Sequence, residues 1–284
     1  KDMNVLSLFD GMSCGQIALN RLGIKYDNYF ASEVKPYAIK ITQENYPNTI
    51  QLGDIREIKG DNLPKIDLIL AGSPCQDFSR ANLTRDGLKG KKSSLFFEFY
   101  RLLKECKPKN YLLENVVMAQ EEYDYISSLM KTYPVRINSS RVSAQMRDRL
   151  YWTNIGEEWK DLFGVRYCDI PQPIDKKIKF KDILDNGYVT KNKAYCLLEG
   201  ESRPHKSNKR RFRRWRTCGF VNIVFEKENL SPFHNRILTR NEMERLQTVP
   251  INYTKSVSRN QAASLLGDGW TIDVICHILK RLSD

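Results

Sequence analysis

Short apolar runs alternate with helical patterns through the first 130 residues of the chain, and this alternation limits the folds that it can adopt. The runs with the length of buried strands are NVLSLF (4–9), YFASEV (29–34), TIQLGDI (49–55), KIDLILAG (65–72) and NYLLENV (110–116). Helical patterns such as SLFFEFYRLLKEC (94–106) lie between or after them. Strands that alternate with helices predict an α/β fold built on a parallel sheet with right-handed crossovers.

The pattern loosens between residues 155 and 235, where prolines, glycines and a basic run dominate. Helical patterns return at 239–250 and at 259–282, and the second is interrupted near GDGW. We therefore predict a main domain made of 1–155 and 233–284, with a smaller lobe, low in helix, at 156–232.

Composition excludes several classes of protein. The chain is long enough for a sizeable core, with 284 residues of which 41% are hydrophobic. It has no run of 18 apolar residues, so we expect no membrane span, and its first residues do not resemble a signal peptide. Seven scattered cysteines without a CxxC pair and only three histidines predict a reduced cytosolic protein without a metal site.

Positive charge is concentrated in one part of the chain. The net charge is +12, and residues 176–216 contain fourteen Lys and Arg against four Asp and Glu. The densest stretch is HKSNKRRFRRWR (205–216), in which Phe212 and Trp215 stand among the basic residues. This pattern favours a surface that tracks nucleic-acid phosphates, with a solvated or disordered basic segment as the alternative. The predicted DNA contacts are Lys209, Arg210, Arg211, Arg213 and Arg214, together with Arg80, Arg85 and Arg240.

Acidic residues follow three successive predicted strands. Asp10 and Gly11 follow the first, Glu33 ends the second and Asp54 ends the third. Ligands of open α/β sheets bind at this edge, where an acid suits ribose hydroxyls or an adenine amino group. Because the turn lacks a full GxGxxG, a pyrophosphate is poorly provided for. The pattern therefore favours a nucleoside without phosphates, such as S-adenosylmethionine, although acids that only cap turns remain the alternative at each position.

Cys75, in GSPCQDFS (72–79), follows the fourth predicted strand at the same edge. Pro74 fixes the backbone before it, and a long polar loop follows. A lone cysteine is more often inert than nucleophilic, because a free thiol is mostly protonated at neutral pH. Its position at a ligand-binding edge favours a nucleophile here, and the loop at 79–93 is a candidate to close over a substrate.

Two further features complete a candidate catalytic set. Glu114 ends the fifth strand, where a carboxylate among apolar residues needs a partner or a function. Arg147 and Arg149, in QMRDR (145–149), share one face if that segment is extended. A thiolate, a carboxyl and an arginine suit conjugate addition to a pyrimidine: Cys75 attacks C6, Glu114 binds N3 and the exocyclic amine, and the arginines hold O2. A base inside a duplex must be flipped out to reach such a site.

Taken together, these motifs resemble the DNA (cytosine-5)-methyltransferase family. They stand in the family's order: LFDGMSCG (8–15), ASEV (31–34), GDI (53–55), GSPCQDFS (72–79), ENV (114–116), QMRDR (145–149) and LLGDGW (265–270). The segments around 94–103 and 242–254 are similar to the animal de novo enzymes, and PCQ is similar to the bacterial enzymes. The resemblance covers roughly 1–155 and 232–284.

The resemblance implies a Rossmann-like sheet that uses S-adenosylmethionine, releases S-adenosylhomocysteine and carries a small target-recognition lobe. It implies that Cys75 is the nucleophile, that Glu114 binds the base and that Arg147 and Arg149 support the flipped cytosine. The cofactor would contact Phe9, Gly11, Ser13, Glu33, Val34, Asp54, Ile55, Pro74 and Trp270. The partner would be double-stranded DNA, bound by a monomer or a de novo-like dimer on a bacterial or phage-infected cell's nucleoid, or in a nucleus if the host is eukaryotic.

Three alternatives stay open at this point. A catalytically silent DNA-binding relative is disfavoured because both Cys75 and Glu114 are present. A transfer-RNA cytosine methyltransferase shares the fold, and only the basic segment and the C-terminal motifs favour DNA over it. A nicotinamide oxidoreductase is disfavoured by the incomplete glycine turn.

Overall fold

The computed structural model describes residues 3–73, 93–162, 164–203 and 207–282, and these form two compact units. The first unit consists of 1–137, 148–172 and 275–284, and the second of 138–147 and 173–274. The predicted lobe at 156–232 therefore differs from the second unit in its bounds: 156–172 packs with the first unit and 233–274 with the second. Whether 156–232 is the part that recognises a target stays a prediction.

A seven-stranded sheet forms the centre of the first unit. Its strands are β1 (Asn4–Leu8), β2 (Asn28–Ser32), β3 (Ile50–Gln51), β4 (Leu68–Gly72), β5 (Asn110–Val116), β6 (Val135–Asn138) and β7 (Asp148–Thr153). Their order is β3-β2-β1-β4-β5-β7-β6. The pairs β1–β2, β2–β3, β1–β4 and β4–β5 are parallel, whereas β5–β7 is antiparallel. The predicted α/β fold with a parallel sheet is confirmed, with one antiparallel strand that alternation alone did not reveal.

The helices and short strands complete the described elements. The helices are α1 (Cys14–Arg21), α2 (Pro36–Asn45), α3 (Ser93–Cys106), α4 (Gln120–Met130), α5 (Asn208–Cys218), α6 (Arg240–Leu246), α7 (Arg259–Asp268) and α8 (Ile272–Leu279). Two antiparallel hairpins are formed by β8 (Glu157–Lys160) with β9 (Arg166–Asp169) and by β10 (Val224–Phe225) with β11 (Asn235–Arg236).

The apolar faces explain why these segments fold as they do. β4 is buried along most of its length, as a strand covered on both faces must be. Phe96, Phe99 and Leu102 of α3 recur at helical spacing and join the same buried cluster as Ile69 of β4 and Trp152 of β7. The apolar core therefore holds the strands of the sheet together, and their pairing determines where each strand ends.

The sequence analysis did not predict the helix α2, and it expected little helix in the segment that contains α5. α2 begins with a proline at its first turn, and its buried residues Ala38 and Ile41 are three apart, which is a helix signal that a search for apolar strand runs passes over. α5 is a regular helix in the segment predicted to be low in helix. Its charges hide an i, i+3, i+4 pattern, because Arg211, Phe212 and Trp215 lie on its less exposed side.

The C-terminal segment Arg259–Leu282 is long and apolar enough to cross a membrane by length and composition alone. However, 72% of its most apolar stretch is buried inside the protein, and Gly269 separates α7 from α8. A core helix has the same properties, so the segment is weak evidence for a membrane span.

The packing of α1 on the sheet predicts an effect of substitution at Gly15. A Cβ at Gly15 would lie 2.5 Å from the Tyr29 hydroxyl and 2.6 Å from Leu70 Cδ1, both buried. Gly15→Ala should therefore lower the free energy of unfolding by about 1–2 kcal/mol, because overpacking outweighs the gain in helix propensity. Urea unfolding measures this. Gly200→Ala is the control, since nothing lies within 4 Å of its Cβ; equal effects of the two changes would contradict the packing argument.

Candidate active site

The carboxyl ends of the parallel strands meet at one edge of the sheet. In the register, Leu8 pairs with both Ser32 and Ala71, and Gly72 pairs with Glu114. The segments that follow β1, β2, β4 and β5 therefore begin side by side, as the sequence predicted. This edge is the candidate active site.

The turn between β1 and α1 has an unusual backbone. Phe9, Gly11 and Ser13 all have left-handed φ values, of 58°, 58° and 64°. Only glycine adopts this conformation without a steric cost, so the two other residues are strained. Nothing lies within 4 Å of the place where a Cβ of Gly11 would stand. The turn therefore presents open backbone that a flat ligand can approach.

Glu33 is held in place by three backbone amides. Gly11 N–H donates to its Oε2 at 2.8 Å, while Val34 and Lys35 N–H donate to its Oε1 at 2.7 and 2.8 Å. These bonds tie the end of β2 to the turn after β1 and fix the carboxylate before any ligand arrives. A carboxylate oxygen has a second lone pair, so Glu33 can still accept a ribose hydroxyl.

Asp10 lies beneath the same turn and is 8% exposed. Its Oδ1 accepts a hydrogen bond from the Tyr29 hydroxyl at 3.0 Å. Burial raises the pKa of Asp10 from 3.8 to about 6, although hydrogen bonds from Ser7, Ser13 and Tyr29 act in the opposite direction. The sequence placed Asp10 among the acids at strand ends that favour a ligand, and nothing in its one-dimensional pattern points to Tyr29.

Asp54 caps the 3-10 helix at Ile55–Glu57 and is paired with Arg56. Arg56 N–H donates to Oδ1 at 3.0 Å, and the Arg56 guanidinium forms an ion pair with the carboxylate. Hydrogen bonding by Arg56 lowers the pKa of Asp54 to about 2, which keeps it ionised at physiological pH. It can therefore act only as a hydrogen-bond acceptor there, as an adenine amino group requires.

The other predicted cofactor contacts of the first unit divide into two groups. Val34 is 63% exposed beside Glu33, and Phe9 is half-buried at the turn. Both side chains therefore have accessible apolar surface that a ligand can contact. Ser13 and Ile55 are buried. The Ser13 hydroxyl accepts from Gln16 Nε2 at 2.8 Å, so it supports the turn from behind.

Glu114 and Arg149 form an ion pair at the predicted catalytic edge. Arg149 Nε lies 2.9 Å from Glu114 Oε1, and the two side chains are only 12% and 9% exposed. The antiparallel pairing of β5 with β7 creates this contact, because it sets Val116 opposite Arg149. A buried carboxylate paired in this way stays oriented, and the pair offers an acceptor and a donor to one bound base.

A second polar contact joins β5 to the end of β4. Asn115 is buried, and its Nδ2 donates to Ser73 Oγ at 2.9 Å. The first described segment ends at Ser73, beside Asn115. Pro74 and Cys75 follow Ser73 in the sequence. Pro74, Cys75, Arg80 and Arg85 lie outside the described residues.

Arg147 does not join this pair, contrary to the expectation that it shares a face and a function with Arg149. Its buried guanidinium donates to three backbone carbonyls: Leu197 O at 2.8 Å, Gly269 O at 2.8 Å and Gly267 O at 3.2 Å. All these partners belong to the second unit. Arg147 therefore holds the end of α7, and spacing by two residues was not enough to predict its partners.

Glutamine side chains continue this buried network around Trp270. Gln247 Nε2 donates to Gly269 O at 3.2 Å, and its Oε1 accepts from Gln145 at 2.8 Å and from Thr271 Oγ1 at 2.9 Å. Both neighbours of Trp270 are thus fixed, and Trp270 itself is buried. The sequence pointed to QMRDR and LLGDGW separately, but not to the contact between them.

The basic helix α5 has two different sides. Lys209, Arg210, Arg213 and Arg214 are exposed, as a phosphate-binding surface requires. Arg211 is buried and donates to Asn235 Oδ1 at 3.0 Å and to Asn208 Oδ1 at 3.1 Å, so its predicted DNA contact is replaced by an internal one.

The aromatic residues of α5 also face inward. Trp215 packs edge-on against Phe225 with ring centroids 5.3 Å apart, and Phe212 does so at 6.2 Å. They anchor the helix in the second unit instead of standing among the charges as exposed aromatic groups. Phe212 and Trp215 are three residues apart, and this helical spacing would have predicted that they share an inward, apolar face of α5.

Arg240 is likewise an internal residue. Its guanidinium donates to Val257 O at 2.7 Å and Lys255 O at 3.2 Å, which fixes the loop before α7. The predicted DNA contact through this half-buried side chain stays a prediction. Among the described residues, no group of three His, Cys, Asp or Glu side chains is placed to hold a metal ion.

Comparison with known proteins gives one family. The profile of the family described as C-5 cytosine-specific DNA methylase matches residues 3–218 and 199–284. The type II methyltransferase M.NgoBV of Neisseria gonorrhoeae is 29% identical over 217 residues, 69% of this chain and 49% of that protein. M1.ScrFI of Lactococcus lactis subsp. cremoris is 26% identical over 311 residues, covering 98% and 77%. The chain spans about half the length of the Neisseria relatives that it matches.

Solved structures agree on the fold. EhMeth of Entamoeba histolytica superposes with a TM-score of 0.74 at 16% identity and covers 99% of this chain and 98% of that one. Dnmt2 of S. pombe gives 0.69 at 18% identity, covering 98% and 97%, and a prophage-encoded methyltransferase of E. coli gives 0.67 at 21% identity, covering 99% of both. These likenesses confirm the predicted methyltransferase fold.

The carbonyl contacts of Arg147 predict a stability defect when its guanidinium is removed. Arg147→Met leaves three buried carbonyls without their charged donor and should lower the free energy of unfolding by about 2–3 kcal/mol. Urea unfolding of the variant measures the loss. Arg216→Met is the control, since Arg216 is exposed on α5; a loss no greater than that of the control would contradict a structural role for Arg147.

Proposed function

The chain belongs to the C-5 cytosine-specific DNA methylase family, and from this we propose that it transfers a methyl group from S-adenosylmethionine to C5 of a cytosine in duplex DNA. The observation that carries the proposal is the buried Glu114–Arg149 pair at the carboxyl edge of the sheet. Asn115, the residue after Glu114 on β5, donates to Ser73, which precedes the Pro-Cys motif in the sequence. Membership confirms the family resemblance read from the motifs.

The proposed reaction uses three side chains on the base. The Cys75 thiolate attacks C6, and electron density from the C5–C6 double bond becomes available at C5. Glu114 binds N3 and the exocyclic amine, which stabilises the ring as its charge changes, and Arg149 holds O2. C5 would accept the sulfonium methyl group, and S-adenosylhomocysteine would leave. Loss of the C5 proton to a base and cleavage of the S–C6 bond would then release the methylated base and the thiolate.

The geometry of the edge fits the cofactor that this family uses. S-adenosylmethionine supplies an electrophilic methyl group on its sulfonium. We assign its ribose hydroxyls to Glu33, whose carboxylate is already oriented by three amides, and its adenine amino group to Asp54. Phe9 and Val34 offer apolar surface for the adenine ring, and Gly11 leaves room at the turn.

The internal contacts described above narrow the proposed set of functional residues. Ser13 supports the turn after β1, Arg147 donates to carbonyls within the second unit, and Arg211 and Arg240 donate to groups within the protein. The residues proposed to contact DNA phosphates are therefore the exposed ones of α5: Lys209, Arg210, Arg213 and Arg214.

The setting follows from the relatives. They are named as type II and phage methyltransferases, so we place this chain in a bacterial or phage-infected cell, acting on the nucleoid, in company with a restriction enzyme or alone. RNA is the second candidate substrate, because the shared fold does not distinguish a cytosine in RNA from one in DNA.

Loss of the nucleophile tests the reaction. Cys75→Ala should reduce the transfer of tritium from labelled S-adenosylmethionine to duplex DNA to background, because no adduct at C6 can form. Circular dichroism and cofactor binding should be unchanged. The control is Cys106→Ala, at a half-buried cysteine of α3. Full activity of Cys75→Ala would contradict the mechanism, and labelling of a transfer-RNA transcript but not of DNA would identify RNA as the substrate.

The exposed charges of α5 predict a salt-dependent effect on DNA binding. Changing Lys209, Arg210, Arg213 and Arg214 to Gln should weaken binding. It should also flatten the plot of log K against log salt by about 0.9 for each phosphate that the protein no longer neutralises. Fluorescence anisotropy at several salt concentrations measures this slope.

A matched variant separates local contacts from net charge. It carries Gln at four exposed lysines of the first unit, Lys59, Lys65, Lys104 and Lys131, and loses the same charge. An equal fall in slope for both variants would show that α5 acts only through net charge, which would contradict a phosphate-binding surface there.

A further inference from the structure

The buried carboxyl of Asp10 takes no part in the proposed reaction, yet it lies in the middle of the strained turn. Phe9, Gly11 and Ser13 around it have left-handed φ values. Asp10 N–H donates to Ser32 O, and Ser13 N–H donates to Asp10 O, each at 3.0 Å. The residue therefore ties the turn to β2 through its backbone, while its side chain points into the protein beneath the surface that the cofactor would cover.

The groups that face Asp10 come from every element packed around it. Tyr29 of β2 donates to Oδ1, and Ser7 of β1 and Ser13 of the turn lie beside the carboxyl. Oδ2 is buried and meets no hydrogen-bond partner at ordinary distance among the described residues. Glu33 acts on Asp10 through its charge. Tyr26 and Tyr29 stay neutral, because burial and the Asp10 charge raise the pKa of each.

We propose that Asp10, together with Tyr29, is a proton-linked positioning residue for the cofactor: the ionised carboxylate supports binding of the positively charged S-adenosylmethionine, and its protonation weakens that binding. The inference rests on the proposed function, because it requires that the turn at 9–13 contact the cofactor.

Electrostatics determines whether the affinity for S-adenosylmethionine rises or falls with pH. In the folded chain without cofactor, the pKa of Asp10 is about 6, so ionising it costs stability as the pH rises through that value. A ligand that carries a sulfonium beside the turn offsets this cost and favours the ionised form. Linkage is reciprocal, so protons and cofactor compete for the protein below pH 6.

The expected change in cofactor affinity with pH is large enough to measure. If the bound cofactor lowers the pKa of Asp10 by one unit from about 6, the affinity for S-adenosylmethionine falls about fivefold between pH 7.5 and pH 5. S-adenosylhomocysteine lacks the sulfonium charge and should show a smaller fall. Both ligands carry the same amino group, which titrates at about pH 8, so the comparison between them removes its contribution.

Isothermal titration calorimetry of the full chain at pH 5.0, 6.0, 6.8 and 7.5 tests the proposal, with S-adenosylmethionine and S-adenosylhomocysteine as ligands. For the wild type we expect the fall of about fivefold and proton release on binding near pH 6, measured in two buffers of different ionisation enthalpy. Asp10→Asn should bind with a flat pH profile and without proton release. Tyr29→Phe removes a hydrogen bond that stabilises the carboxylate, so its profile should shift to higher pH.

The control is Asp61→Asn, at an exposed residue of a 3-10 helix, which should keep the wild-type profile. Persistence of the pH profile in Asp10→Asn, or equal profiles for both ligands in the wild type, would overturn the proposal. Failure of the wild type to bind S-adenosylmethionine at any pH would instead overturn the proposed function. Circular dichroism at each pH separates loss of binding from unfolding, and Tyr29→Phe keeps the test open if Asp10→Asn does not fold.

Discussion

The register of the parallel strands is the constraint on which the candidate site depends. Because β1, β2, β4 and β5 are aligned so that Leu8, Ser32, Ala71 and Glu114 lie near one level, the turns after them begin together. Backbone hydrogen bonding imposes this alignment, and the apolar faces of the strands prevent a shift of one residue. This register sets the positions of the polar groups at the carboxyl edge of the sheet.

Buried or half-buried charges at the site are oriented mainly by backbone groups and by one another. Glu33 accepts from three amides, and Arg147 donates to three carbonyls. Glu114 and Arg149 form an ion pair. Partners of this kind stabilise an ionised group that burial would otherwise penalise, and they fix its direction. Asp10 is the exception, since burial dominates and moves its titration toward neutral pH.

Reading the sequence for strand ends located residues near the carboxyl edge of the sheet, although their functions stay predictions. Glu33, Asp54 and Glu114 were found this way, because strand ends can be read from apolar runs. It did not reveal the internal partners of Arg147, Arg211 and Arg240. Each of them donates to groups that are distant in the sequence. The inward face of α5 was missed because its arginines outnumber its two aromatic residues.

The sequence by itself determined the alternation of strands and helices, the acids at the strand ends and the order of motifs that defines the family, since these depend on local pattern. Only the tertiary structure decided that β7 runs antiparallel and brings Arg149 to Glu114, and that Arg147 turns to the end of α7. It also decided that Asp10 is buried against Tyr29. Partners and burial are set by which segments pack together, and that information is not contained in the spacing of residues along the chain.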